Sequence, residues 1–304
     1  MSNNLLITRF AALPATLRAA VWMSVAAMCY AGSIAIGRHL APDIPVLQIA
    51  FLRNAIAALL MLPWLLRHGP AVMRTSQIRR HLLRGAVSSV NVTLLFAAVA
   101  LIPIADMSAI NFLQPLIGAA LAGLLLGEVI GVKRWLAISL GLCGAMVVIR
   151  PGFTEISLGM AYALGSAFMG AVVSILIKTM VRKDPPDSVA AWLFVIQSGI
   201  LLIPAAFVWT NPSPAQWALF VLIGAVSLVL HRTYNRGLQA TDIAIAMPFN
   251  FTRLIWAAVL GWLMFAELPD AWTWLGGSII FAAAWWLTRL GHDRAKLGPP
   301  LTPP

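Results

Sequence analysis

From about residue 17 to residue 290 the chain is written in apolar runs of about 20 residues, separated by short connections. That feature constrains the fold more than any other. A helix of about 20 residues rises about 30 Å, the thickness of a bilayer's hydrocarbon core. Inside that core a helix satisfies its own backbone hydrogen bonds. The reading is an all-α membrane protein with ten candidate transmembrane helices, at roughly 17–38, 45–66, 82–102, 105–127, 132–150, 156–179, 188–209, 215–236, 242–266 and 272–290. Helix breakers punctuate the connections: Pro42 and Pro45, Pro103, Pro151 with Gly152, Pro185 and Pro186, Pro212 and Pro214, and Pro269. No connection is long enough to fold as a soluble domain, which excludes chemistry in a separate globular part. Charged residues are 10% of the chain, against about 25% in soluble domains.

The net charge of +11 would suit a nucleic acid, but its distribution argues against one. If both termini face the cytoplasm, one side collects Arg9, Arg18, Arg67, Arg74, Arg79, Arg80, Arg84, Lys133, Arg134, Lys178, Arg182, Lys183, Arg232, Arg236, Arg289, Arg294 and Lys296. The other side keeps Arg38 and Arg150, while Arg53 and Arg253 fall within spans. That asymmetry is what cytoplasmic loops produce. Trp209, Trp217, Trp272 and Trp274 cluster at the outer ends as an aromatic belt. Cys29 and Cys143 lie in separate apolar runs without a neighbouring histidine, so neither a disulfide nor a metal site is expected. No cleavable signal peptide is expected, and the tail 293–304 is expected to be disordered.

The chain repeats itself. "NFLQPLIGAALAGLLLGEVIGVKRW" begins at Asn111 and "NFTRLIWAAVLGWLMFAELPDAWTW" at Asn250, an offset of 139 residues. The same offset joins "GAVS" at 85–88 to "GAVS" at 224–227, and pairs Phe112 with Phe251, Glu128 with Glu267 and Trp135 with Trp274. The halves are then 1–150 and 151–292, each with five spans. Five is odd, so the second half enters the membrane from the opposite side. Two inverted five-helix repeats are an architecture of secondary transporters, with the substrate site near the midplane where the halves meet.

On "YAGSIAIGR" (30–38), "FLRNAIAALLML" (51–62), the "GE…W" of Gly127, Glu128 and Trp135, and its echo in Ala266, Glu267 and Trp274, the chain resembles the drug/metabolite transporter superfamily, specifically its EamA-type ten-span bacterial members. Its aromatic–glycine pair in the first span is spaced Tyr30-Ala31-Gly32, a departure from the family pattern, and Arg38 closes that span. Length, topology and aromatic content look most like the YddG-type exporters of aromatic and other neutral amino acids. The resemblance implies a bacterial inner-membrane carrier exporting small neutral metabolites by alternating access, with drugs or other organic metabolites as the other substrates of the superfamily. It also implies that spans 1, 3, 6 and 8 line the cavity with spans 4 and 9. Tyr30, Ser33, Ser88, Asn91, Phe96, Phe168, Ser174, His231 and Tyr234 are the candidates on the first four of these.

Arg253 is the sharpest single residue. It lies about 11 residues into its span, or about 16 Å deep, where an arginine costs at least about 2.5–3.5 kcal/mol. No carboxylate of any span lies at that depth. Either a substrate carboxylate meets its planar fork, or it bonds helix carbonyls or reaches Asp106 or Glu128. Asn250 shares its helix face, and Asn111 and Gln114 form the corresponding pair in span 4. Pro115 and Pro248 lie beside these pairs and can free backbone carbonyls. Arg53, in register with Gln197 of span 7, is expected to be structural; so are Asp106, Asp242, Glu128 and Glu267 at span ends. Gly118, Ala122, Gly123, Gly127, Gly141 and Gly144 permit close helix contacts.

The chain carries no GxxxxGK[ST] loop for ATP, no HExxH and no paired aspartates for metal-bound diphosphate. An enzyme is therefore not expected, nor a cofactor or a metal. Without a deep carboxylate, a buried acid does not carry a coupling proton, and facilitated diffusion becomes the simplest energetics; a channel-like facilitator is the remaining alternative. The expected partners are the lipid bilayer, a small molecule and, at most, a second copy of the chain in a homodimer.

Overall fold

A computed structural model describes residues 13–126, 132–150, 157–240, 249 and 252–296. Every regular element among them is helical. We label them α1 (Ala15–Leu40), α2 (Val46–His68), α3 (Ile78–Val99), α4 (Ile104–Ile110), α5 (Gln114–Leu126), α6 (Val132–Ile149), α7 (Leu158–Met180), α8 (Pro186–Phe207), α9 (Pro214–Ala240), α10 (Thr252–Phe265) and α11 (Ala271–Lys296). Of these, α1, α2, α3, α7, α8 and α9 are long and apolar enough to cross a membrane, and Trp135–Ile149, Thr252–Phe265 and Ala271–Leu287 are shorter apolar helices. The protein is a multi-pass membrane protein. Its outer surface is apolar, with Leu66 73% and Phe207 85% exposed, as lipid contact requires.

Prolines set where helices begin. Pro14, Pro45, Pro103 and Pro185 each stand just before one, at φ near −55° and ψ near 140°. Proline's fixed φ and missing N–H are tolerated there, where the backbone N–H has no helical partner in any case. A proline also breaks the stretch read as one continuous fourth span. Between α4 and α5 the backbone tightens into a 3-10 turn at Asn111–Leu113. Pro115 cannot donate to Asn111, and its ring crowds that carbonyl, so the helix restarts.

The helices pack pairwise: α1 on α9, α3 on α7, α2 on α8, α6 on α11, α2 on α9, α3 on α8, α1 on α10 and α5 on α7. Where α6 crosses α11 the backbones touch. A Cβ on Gly276 would stand 2.6 Å from the Gly144 carbonyl oxygen.

One end of the bundle is tied by polar contacts between distant segments. Arg38, at the end of α1, donates to both carboxylate oxygens of Glu267, bonds the Ile102 carbonyl at 3.0 Å and lies 4.9 Å over the Phe265 ring. Arg150 pairs with Asp270, and the Thr273 hydroxyl shares its one proton between Asp106 at 2.6 Å and Asp270 at 2.7 Å. Burial pushes the Asp270 carboxyl up, but its bonds from Thr273 and the Arg150 guanidinium outweigh that and hold it below its ordinary value. At the other end Asp187 receives Arg232 and Arg236, each at 2.9 Å, and Asp184 receives Thr75 and His81 at 2.7 and 2.8 Å. Glu128 and Asp242 lie outside the described residues. Arg84, grouped above with the loop cations, is instead 1% exposed, and its Nη1 donates to the Val189 carbonyl at 2.8 Å. It belongs to the interior because α3 starts four residues earlier than its apolar run suggests.

Candidate functional site

Between α1, α2, α3, α5, α7, α8, α9 and α10 lies a cavity of about 120 Å³. Of the residues expected at a site, it brings together Tyr30 and Ser33 from α1, Ser88 and Asn91 from α3, Gln114 at the start of α5, Ser174 from α7, His231 and Tyr234 from α9, and Arg253 from α10. The helical period explains the grouping, since Tyr30/Ser33, Ser88/Asn91 and His231/Tyr234 are each three apart and share a face.

Three expected residues stand elsewhere. Phe168 is 43% exposed and lies outside the cavity lining. Phe96 is fully buried behind the lining, 5.5 Å beneath the Arg53 guanidinium. Asn111 is also fully buried; its Oδ1 accepts from Gln114 at 2.6 Å while its Nδ2 donates to the Met107 carbonyl at 3.1 Å. It acts on the cavity by holding Gln114. Asn250 lies outside the described residues, as does Pro248.

Two lining residues had been read differently. Arg53 was expected to be structural and Gln197 was noticed only as its counterpart in register, yet both face the cavity. Each half supplies one arginine and one glutamine: Arg53 with Gln114, and Arg253 with Gln197. Gln197 is oriented by its bond to the Ser88 carbonyl at 2.7 Å.

The electrostatics follow from who lacks a partner. Arg253 is 3% exposed, with its guanidinium carbon 4.6 Å from the Phe112 ring and 5.1 Å from that of Tyr30. Among the described residues it makes no hydrogen bond to Asp106 or to a helix carbonyl; aromatic faces hold it. Arg53 is 5% exposed. The Nε of both arginines, the Tyr30 hydroxyl, the Ser33 and Ser88 hydroxyls and His231 Nε2 are buried without a hydrogen-bond partner. Among the described residues no aspartate or glutamate lines the cavity. Asn91 Oδ1 already accepts from Ser166 at 2.9 Å. The space therefore offers donors and aromatic faces, and little that would accept a cation. The described residues contain no cluster of His, Cys, Asp or Glu able to hold a metal.

Gly37 fixes one wall. A Cβ there would stand 2.2 Å from Phe96 Cε1, and Phe96 is fully buried. Gly37→Ala should therefore push the ring toward Arg53, cost about 1–3 kcal/mol of stability and weaken substrate affinity. Thermal melting and transport KM, measured together, check this; a variant with both unchanged would contradict the wall.

The sequence model of the EamA-like transporter family matches this chain twice, over residues 17–150 and 157–289. A riboflavin transporter of Rhizobium johnstonii is 30% identical over 275 residues, covering 89% of this chain and 90% of its own length. An S-adenosylmethionine uptake transporter of Rickettsia felis is 23% identical over 262 residues, 86% of this chain and 89% of its own. A crystal structure of a protein superposes with a TM-score of 0.62 over 92% of this chain and 97% of that one, at 17% identity, a likeness of fold alone. Neither named relative is an amino-acid exporter.

Proposed function

The chain belongs to the EamA-like transporter family, and on that premise we propose that it is a secondary carrier for a flat, acceptor-rich heteroaromatic metabolite, riboflavin first, in a bacterial inner membrane. It is a transporter and not an enzyme. The observation that carries the substrate reading is the lining: two arginines, two glutamines, two tyrosines and a histidine, with no carboxylate among the described residues. Flavin carbonyls are acceptors that arginine and amide donors satisfy, and stacking on a tyrosine contributes about 0.5–1.5 kcal/mol. An ammonium fits poorly. At roughly 6 Å and an effective dielectric near 20, each guanidinium would repel it by about 3 kcal/mol. That argument weighs against a net cation such as a sulfonium; in a zwitterionic amino acid the carboxylate would be attracted by a similar amount. The riboflavin transporter of Rhizobium johnstonii supports the same choice.

The carrier mechanism rests on ten spans arranged as inverted halves with both termini cytoplasmic. Two observations support that arrangement. The family's sequence model matches once in each half. Counting α4 and α5 as one span, exchange of the two halves turns α1–α9 into α7–α3, α1–α10 into α7–α5 and α2–α9 into α8–α3, while α2–α8 and α6–α11 map onto themselves. A set of contacts unchanged by that exchange is what a pseudo-two-fold axis requires. Arg38 and Glu267 join the halves at one end of the cavity, and Thr75 and His81 on Asp184 join them at the other.

Reconstituted into proteoliposomes, the protein should take up labelled riboflavin with saturation and show counterflow, as a channel would not. A pH gradient should leave the initial rate unchanged, because no carboxyl lines the cavity among the described residues, and burial and the charges of Arg53 and Arg84 oppose a further one on His231. Aromatic amino acids and S-adenosylmethionine complete the panel. Movement of phenylalanine or tryptophan without riboflavin would replace this substrate with the amino-acid reading.

A further inference from the structure

The cavity carries more positive charge than a neutral substrate uses. Arg53 and Arg253 come from opposite halves, line one space and are each more than nine-tenths buried. Their Nε groups have no hydrogen-bond partner, nor has the hydroxyl of Tyr30, which lines the same space. Both guanidinium groups lie within electrostatic reach of that hydroxyl. A third arginine, Arg84, is buried nearby, bonded through Nη1 to a carbonyl, with Nε and Nη2 unpartnered. Among the described residues no carboxylate lines this space to balance the charge.

We infer that Arg53, Arg253 and Tyr30 form an anion subsite within the transport cavity, accepting a carboxylate, a phosphate or a halide. The physical reason is that a buried cation is stabilised by a partner of opposite charge, and a planar fork suits oxyanions. Pseudo-symmetry adds a reason for two arginines where one would do. Each half supplies one arginine and one glutamine to the lining, so an anion held there is bonded by both halves at once. The anion either is part of the transported molecule or is a free inorganic ion accompanying a neutral one. The inference shares with the proposed function only the identity of the cavity as the transport site; it does not require that riboflavin be the substrate.

Binding is tested first without transport. Detergent-purified full-length protein is melted at constant ionic strength while sodium gluconate is replaced by chloride, inorganic phosphate or benzoate. At least one of the three should raise the melting temperature saturably, and Arg53→Gln with Arg253→Gln should abolish the rise in a variant that elutes as a single species. If that double variant does not fold, the wild-type curves decide alone, with Arg253→Lys expected to shift the half-saturating concentration about tenfold. Melting that is indifferent to anion identity overturns the subsite. The source of the anion is then read from flavin competition. Flavin mononucleotide inhibiting uptake at about tenfold lower concentration than riboflavin marks a substrate-borne anion. Chloride raising riboflavin affinity about tenfold marks a free ion. A wild type that binds anions but moves no riboflavin refutes the proposed substrate and leaves the subsite standing.

Discussion

Glu267→Gln should open the end of the bundle that Arg38 closes. In the closed arrangement its carboxylate takes two bonds from Arg38, with the two side chains 19% and 27% exposed. A bidentate, partly buried pair of this kind contributes about 2 kcal/mol, which corresponds to about a 30-fold change in the ratio of closed to open forms. Glutamine keeps the shape and removes the charge, so the change reads the ion pair. Arg38→Ala is less clean, since Arg38 also holds the Ile102 carbonyl and covers Phe265. The measurement is labelling of a cysteine at Ser33, with Cys29 and Cys143 replaced, by a membrane-impermeant maleimide added outside. The rate should rise by about 30-fold, transport should fall, and exchanging the two charges in Arg38→Glu with Glu267→Arg should restore both in part. An unchanged labelling rate in a folded Glu267→Gln protein would show that the clasp does not gate the cavity.

Gly276→Ala should be strongly destabilising, because among the described glycines its added methyl comes closest to backbone. The new carbon would stand 2.6 Å from the Gly144 carbonyl oxygen, 2.6 Å from Val148 Cγ2 and 3.1 Å from Val148 N. Two of those three atoms are backbone of α6 and cannot rotate away, so α11 must move off its partner. Overpacking of this kind costs about 1–3 kcal/mol, and here it strikes a helix pair that each half supplies one member of. Melting in detergent should fall by several degrees. Gly199→Ala is the matched control, because nothing lies within 4 Å of its added carbon. There the gain in helix propensity, up to about 1 kcal/mol, should leave the protein as stable or slightly more so. Equal effects at both positions would mean that the α6–α11 contact is not the tight one.

Individual residues show how far reading from the sequence reached. Arg253 stood out because a mid-bilayer arginine is expensive, and it does line the cavity. Gln114 was found through the repeat, but the same offset sets Arg53 against Trp192 rather than Gln197, so the repeat gave no signal for those two. The break at Asn111–Leu113 was announced by Pro115, whose effect on the preceding turn was noted only as a freed carbonyl. Phe168 went astray for a different reason. In a soluble protein an apolar stripe points inward, but lipid is as apolar as a packed interior. A phenylalanine on α7 can face either with little difference in transfer free energy.

The amino-acid sequence alone determined that the chain lives in a membrane, roughly where its apolar segments run, and that its two halves echo each other. Those properties depend on segment length, backbone hydrogen bonding and local breakers, all of which act within a few turns of helix. Only the tertiary structure decided which helix faces meet, that Arg53 joins Arg253 at one space, and that Arg38 reaches Glu267 across 229 residues of chain. Facing in a bilayer is chosen by close packing and by the rescue of a few polar groups, and those choices exist only once distant segments touch.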